Sequence, residues 1–199
     1  MSRFTQQIQF IVELDQLKQV LRQTRLIDDS RQENSAEHSW QLAMMALVFA
    51  EYAPEPVDLQ RVMTMLLLHD VVEIDAGDVF CYDVAGHVGK AERETKAAER
   101  LFGLLPDDLA QAFRAAWDEF EAQATPEAQF AAALDRIQPF LHNQYTAGGT
   151  WRNHQITRTQ VMGRMAAVEH GTPALWPWVL EMVDKAIAAG HLSDDTARS

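Results

Sequence analysis

The feature that most constrains the fold of this chain is the period of its apolar residues. Over most of its length they return every three or four positions, within segments dominated by Ala, Leu, Met, Gln and Glu. That period belongs to helices, whereas half-buried strands alternate at every second position. The sequence therefore predicts an all-α protein. Ile8, Ile11, Leu14, Leu17 and Leu21 give a first helix its stripe, which is expected to fade before the polar stretch Asp28–Asn34, read as a candidate functional loop.

Asn34-Ser35-Ala36-Glu37 has the spacing of a capping box and predicts a helix start. His38, Leu42, Met45 and Phe49 then follow at helical steps, so His38 shares the inward face. A third helix is expected from Asp58 to His69, with Val62, Met65, Leu66 and His69 on one side. Its end delivers His69 and Asp70. Gly77 and the Asp-rich segment after Glu73 read as a break before a charged helix around Gly89–Gly103. Pro106 and Pro126 mark two further starts. After Pro126, the residues Ala131, Asp135, Gln138 and His142 share a face. The Gly148-Gly149 turn, a helix near Arg158–His170 and a last one from Pro173 through Ala189 complete about eight helices, with no internal repeat.

At 199 residues, with 47% hydrophobic and 23% charged side chains, the chain can bury one continuous core. One domain is expected over 1–190, followed by a polar tail, 191–199, that frays. A formal charge of −12 opposes attraction of polyanions, which argues against nucleic acid as a partner. A phosphate-bearing substrate must then be caught by local cations or a metal. Cys81 is the single cysteine, which excludes an internal disulfide, makes a thiolate zinc site improbable and fits a reducing cytoplasm. Met1–Gln9 is polar, and no apolar run approaches the ~20 residues that span a bilayer, so a cytoplasmic protein without a membrane partner is expected.

His38, His69, Asp70 and Asp135 supply two imidazoles and two carboxylates from helices spread over about 100 residues. Such a set suits one divalent cation, and Mn, Co, Fe, Ni, Zn and Mg all accept these donors. A lone inward His is more often a hydrogen-bonded core residue, but two His and two Asp buried together without a metal would be costly. Glu73 lies four residues past His69, where a raised pKa would make it a general acid; the alternative is a solvated carboxylate at a helix end. His87 is the only further His between His69 and Asp135, which argues against a second metal. Cys81 is read as an inert thiol, Asp75 and the Glu92–Arg100 run as solvated, Trp40 and Trp151 as packing, and His142 as a surface or core residue.

Three segments carry a resemblance: Arg31-Gln32-Glu33-Asn34-Ser35-Ala36-Glu37-His38-Ser39-Trp40, then His69-Asp70-Val71-Val72-Glu73 through Gly77-Asp78, and Leu134-Asp135-Arg136 with Gly148-Gly149-Thr150-Trp151. In this order they resemble the HD-domain phosphohydrolases, specifically their small 5'-deoxynucleotidase-like branch. The resemblance implies an HD-type helical bundle in which His38, His69, Asp70 and Asp135 bind one metal. Asp70 and Glu73 would be catalytic, Asp78 would accept from the sugar 3'-hydroxyl, and Arg22, at the end of the first helix, would face the phosphate. Relatives often follow this arginine closely with tryptophan, whereas this chain has Gln23-Thr24-Arg25.

The implied activity is removal of phosphate from (deoxy)ribonucleoside 5'-monophosphates, a small-molecule nucleotide substrate. The alternatives are hydrolysis of another small phosphomonoester, or a non-catalytic HD-fold module that binds a nucleotide to regulate. Arg31 and Glu33 would brace the loop over the site or form a solvated pair. The resemblance also implies a homodimer. Leu175, Trp176, Trp178, Val179 and Met182 on the last helix would form its surface or else close the core.

Overall fold

The computed structural model describes residues 1–195. Ser2 caps α1 (Arg3–Leu14) by accepting from the Thr5 amide. The helix stops at Leu14, a 3-10 turn covers Asp15–Gln19, and β1 (Leu21–Arg25) then pairs antiparallel with β2 (Gln32–Asn34). Among the described residues this hairpin is the one sheet in an otherwise helical fold. It corrects the expected first helix. Ile8, Ile11 and Leu21 are exposed, while Phe10 and Leu17 turn inward. A short strand of mostly polar residues is fixed by backbone pairing, so its side chains carry no alternating signal.

The helices follow as α2 (Ser35–Phe49), α3 (Leu59–Leu68), α4 (Glu73–Ala76), α5 (Lys90–Phe102), α6 (Asp107–Ala122), α7 (Pro126–Tyr145), α8 (Gly149–Asn153), α9 (Arg158–Gly171) and α10 (Trp176–Ala188). Eight of the ten described helices have ten or more residues, and α4 and α8 are the short ones. Their starts follow local chemistry. Asn34 and Glu37 form both halves of the capping box of α2, Asp58 accepts from the Gln60 and Arg61 amides at α3, and Thr125 caps α7 ahead of Pro126. Such caps satisfy amides that a helix start leaves without partners.

The central element is α7, buried from Ala128 to Asn143 and packed against α2, α3, α6 and α9. Phe130, Leu134 and Ile137 meet Leu42, Met65 and Leu66 in the main core, and α9 adds Val161, Met165 and Val168. A close approach fixes α9 on α7: a Cβ on Gly171 would stand 2.1 Å from the Gln129 carbonyl oxygen. A second core forms around Phe10, Leu17, Leu68, Val72, Leu101 and Phe102.

On α10, Val179 is fully buried, and Trp176, Trp178 and Met182, with Leu175 from the preceding 3-10 turn, pack against the main core, so this stripe closes the fold. Exposed apolar side chains lie instead on α1 (Phe4, Ile8, Ile11, Val12) and α2 (Trp40, Met44, Leu47, Val48). Trp151 is packing as expected, but Trp40 is 65% exposed and is not. The segment read as a fraying tail is held as far as Asp195. Leu192 is buried, Ser193 bridges to Thr157, and Asp195 accepts from Thr159. Positions 196–199 lie outside the described residues. Among the described residues no helix is long and apolar enough to cross a membrane.

Candidate metal centre and its cavity

Three helices bring the centre together. His38 comes from the first turn of α2, His69 from the end of α3, and Asp135 from the middle of α7. One donor atom from each lies within 4.8 Å of the other two. His38 Nε2 is 2.9 Å from Asp135 Oδ1, and His69 Nε2 is 3.7 Å from the same oxygen. His69 Nδ1 donates to the Leu66 carbonyl at 2.8 Å, which leaves Nε2 with its lone pair. That Nε2 is buried and has no hydrogen-bond partner among the described residues. Such a group costs about 1–3 kcal/mol if nothing satisfies it. Burial, followed by Arg22, holds His38 well below the ordinary imidazole range, so it is neutral, as a metal ligand must be. The donors present therefore fit a divalent ion.

Asp70 lies beside this trio but is shared. Its Oδ1 is 3.0 Å from His69 Nε2, while Oδ2 accepts from Arg22 Nη1 at 2.7 Å. Burial pushes its carboxyl up, but His69, Arg22 and His38 outweigh burial and keep it below the usual range. Arg22 corrects an expectation, because it sits on β1 rather than at a helix end. There its guanidinium reaches Asp70, Glu33 at 3.7 Å and Asp78 at 4.0 Å. Glu33 also departs from the solvated pair considered with Arg31. It is 1% exposed, accepts from Gln138 at 2.5 Å and faces His38 Nδ1 at 3.6 Å, whereas Arg31 pairs with Glu37.

Glu73 is buried on α4 and accepts from the Ser35 hydroxyl at 2.7 Å. Burial, then Asp70, pushes its carboxyl up to about 8. It is thus a protonated acid at neutral pH, which corrects the solvated alternative. Asp78 follows Gly77, whose φ of +74° lets the chain leave α4 abruptly. Burial raises the Asp78 carboxyl against the pull of Arg22. Arg22, His69, Asp70, Glu73, Asp78 and Asp135 all line one cavity, with His38 behind them. Phe80, Tyr82, Phe140 and Trp151 supply its apolar side.

Some residues of the site and its cavity were missed by sequence reasoning. Ser35 was read only as part of a capping box. Arg136 and Arg164 also line the cavity. Burial, then each other's charge in the case of Arg136, pushes both guanidiniums down from their ordinary range. Cys81 lines the wall as well, and burial raises its thiol, in keeping with an unreactive sulfur. His142 is a structural residue: its Nδ1 donates to the Arg25 carbonyl at 2.7 Å. His87 is exposed at the cavity edge and stands outside the trio.

Fold and site together define a helical bundle built around a His–His–Asp centre able to hold a divalent metal ion. The chain belongs to the HD domain family, which it matches over residues 14–176. Among curated relatives, the 5'-deoxynucleotidase HDDC2 of Danio rerio is 32% identical over 135 residues, covering 67% of this chain and 66% of that protein. The Homo sapiens protein of the same name is 30% identical over 135 residues, 67% and 65% respectively. The chain thus spans about two thirds of the length of these relatives.

A predicted metal-dependent phosphohydrolase from Magnetospirillum magnetotacticum superposes with a TM-score of 0.93 at 53% identity, covering 96% of each chain. An HD-domain phosphohydrolase from Listeria innocua, at 18% identity and a TM-score of 0.59 over 89% of this chain and 92% of its own, shares the fold.

Proposed function

We propose that the protein is a metal-dependent phosphohydrolase of the 5'-deoxynucleotidase kind, releasing phosphate from (deoxy)ribonucleoside 5'-monophosphates in the cytoplasm. The observation that carries this reading is the pairing of two unlike groups on one cavity wall. His69 presents a buried Nε2 that makes no hydrogen bond, toward Asp70 and Asp135, and Glu73 keeps a protonated carboxyl in the same cavity. A metal site with an adjacent acid matches what hydrolysis of a phosphomonoester requires. The HDDC2 relatives and the Magnetospirillum protein support the same chemistry.

His38, His69 and Asp135 would hold the ion, with Asp70 as a fourth ligand; its identity among Mn, Co, Fe, Ni, Zn and Mg is open to availability. When bound, such an ion supplies Lewis acidity at a phosphoryl oxygen and a lowered pKa for the attacking water. The chain's own residues manage the proton and the substrate. Ser35 donates to Glu73 Oε2, leaving Oε1 to carry the acid proton. As the phosphorus–oxygen bond breaks, that proton goes to the departing sugar oxygen, and the proton lost by the added water returns to Glu73. Asp78 accepts from the sugar 3'-hydroxyl, and Arg22 holds Asp70 and Asp78 in place. The protein acts as a homodimer, a reading supported by the exposed apolar residues of α1 and α2.

The test is phosphate release from ribo- and deoxyribonucleoside 5'-monophosphates by metal-stripped protein supplemented separately with manganese, cobalt and magnesium. Metal-dependent release with a deoxyribose preference is expected. No release with any metal, from protein shown to bind that metal, would overturn the assignment.

A further inference from the structure

We propose that Arg136 and Arg164 form the anion subsite of this cavity, the seat for a phosphoryl dianion, in place of Arg22. This deepens the reading of the site as a phosphohydrolase centre and rests on it for the identity of the anion. Arg136 follows Asp135 on α7 and has a 14% exposed side chain; Arg164 comes from α9 with 36% exposed. Both line the cavity that holds His69, Asp70 and Glu73.

Their charge is poorly matched. Among the described residues each has one ion-pair partner, and it is the same atom: Asp135 Oδ2 contacts Arg136 and lies 3.9 Å from Arg164, beyond hydrogen-bond reach. The other oxygen of that carboxylate already faces His38 Nε2. Within contact distance, one carboxylate therefore serves two guanidiniums as well as the metal trio. Guanidinium does not deprotonate in proteins, so two permanent charges share one contacting carboxylate, with Glu121 acting on Arg136 and Asp70 on Arg164 only at longer range.

Arg22 is the opposite case, because Asp70, Glu33 and Asp78 all lie within 4.0 Å of it. It is saturated by carboxylates, whereas the Arg136–Arg164 pair is open toward the cavity. Two planar forks converging beside the metal trio suit the non-bridging oxygens of a phosphate, which accept several charge-assisted bonds at once.

The probe is inorganic phosphate, titrated calorimetrically into metal-stripped and manganese-loaded protein, with nucleotide kinetics measured in parallel. Arg164→Gln is expected to weaken phosphate binding in both metal states and to raise KM by about 10- to 100-fold, the loss typical of a charge-assisted contact. Arg164→Lys should recover part of both. Arg136→Lys keeps the charge but loses the fork, and gives a second reading if Arg164→Gln misfolds. Wild-type phosphate affinity in folded Arg164→Gln and Arg136→Lys overturns the subsite, as does failure of the wild type to bind phosphate in either state. Phosphate binding lost in the variants of a protein that hydrolyses no nucleotide would sink the proposed function and leave the subsite standing.

Discussion

Two glycines of α9 allow the packing of that helix to be tested by the same chemical change made eight residues apart. At Gly163 an added Cβ meets nothing within 4 Å, so Gly163→Ala gains the helix preference of alanine, about 0.5–1 kcal/mol. At Gly171 the added carbon stands 2.1 Å from the Gln129 carbonyl oxygen and 2.8 Å from Ala133 Cβ, where ordinary contact begins near 3.4 Å. Neither neighbour can swing away, because one is backbone and the other belongs to a buried alanine. The helices must separate by about 1 Å, and overpacking of this kind costs about 1–3 kcal/mol. After the alanine preference is subtracted, Gly171→Ala should lose roughly 1–2 kcal/mol, a fall in Tm of roughly 2–8 °C for a chain of this size. Differential scanning calorimetry on both variants reads the result directly. If Gly171→Ala melts at or above the wild type, or both variants shift downward together, the close approach of α9 to α7 does not hold the pair.

Three further outcomes follow from the site and the surface. Glu73 has a folded-state pKa raised to about 8 from an ordinary 4.5, so metal-free protein is most stable below the unfolded value and loses stability as pH rises through the folded one. Glu73→Gln removes that loss, on the order of 5 kcal/mol above pH 8, while abolishing turnover; a stability difference between variant and wild type that stays constant from pH 4 to 9 contradicts this. Manganese at about 100 times its Kd should stabilise stripped wild-type protein by roughly 2.7 kcal/mol and leave His69→Ala unmoved, and an equal shift in both would place the ion elsewhere. Sedimentation of Trp40→Glu against wild type tests the α2 face: a dimer that persists unchanged in the variant moves the interface to another surface.

The His38–His69–Asp135 cluster was legible in the sequence because its residues stand on helices, or directly at the end of one, whose apolar period fixes their direction. His38 shares the face of Leu42 and Met45, and Asp135 that of Gln138, so helical periodicity alone turned them inward. The hairpin was not legible, since Leu21–Arg25 and Gln32–Asn34 are held by backbone bonds that leave no pattern in side-chain polarity. With it went the environment of Arg22 and the burial of Glu33. Arg164 gave no signal at all. It lies on a helix with little amphipathic contrast, and only the packing of α9 on α7 brings it to Asp135.

The distribution of charge bears on how fast the cavity fills and empties. The chain carries −12 overall, and Arg22, Arg136 and Arg164 at the cavity are offset there by Asp70, Asp78, Glu94 and Asp135, so most of the net negative charge lies on the exterior. An approaching nucleotide meets repulsion first and attraction only at close range. Salt screens the outer field, whose reach is about 10 Å at 0.1 M, far more than it weakens contacts inside the cavity. Encounter should therefore speed up with ionic strength at low salt, the reverse of an electrostatically steered enzyme. The same field expels the inorganic phosphate once it passes the rim, which disfavours rebinding of product.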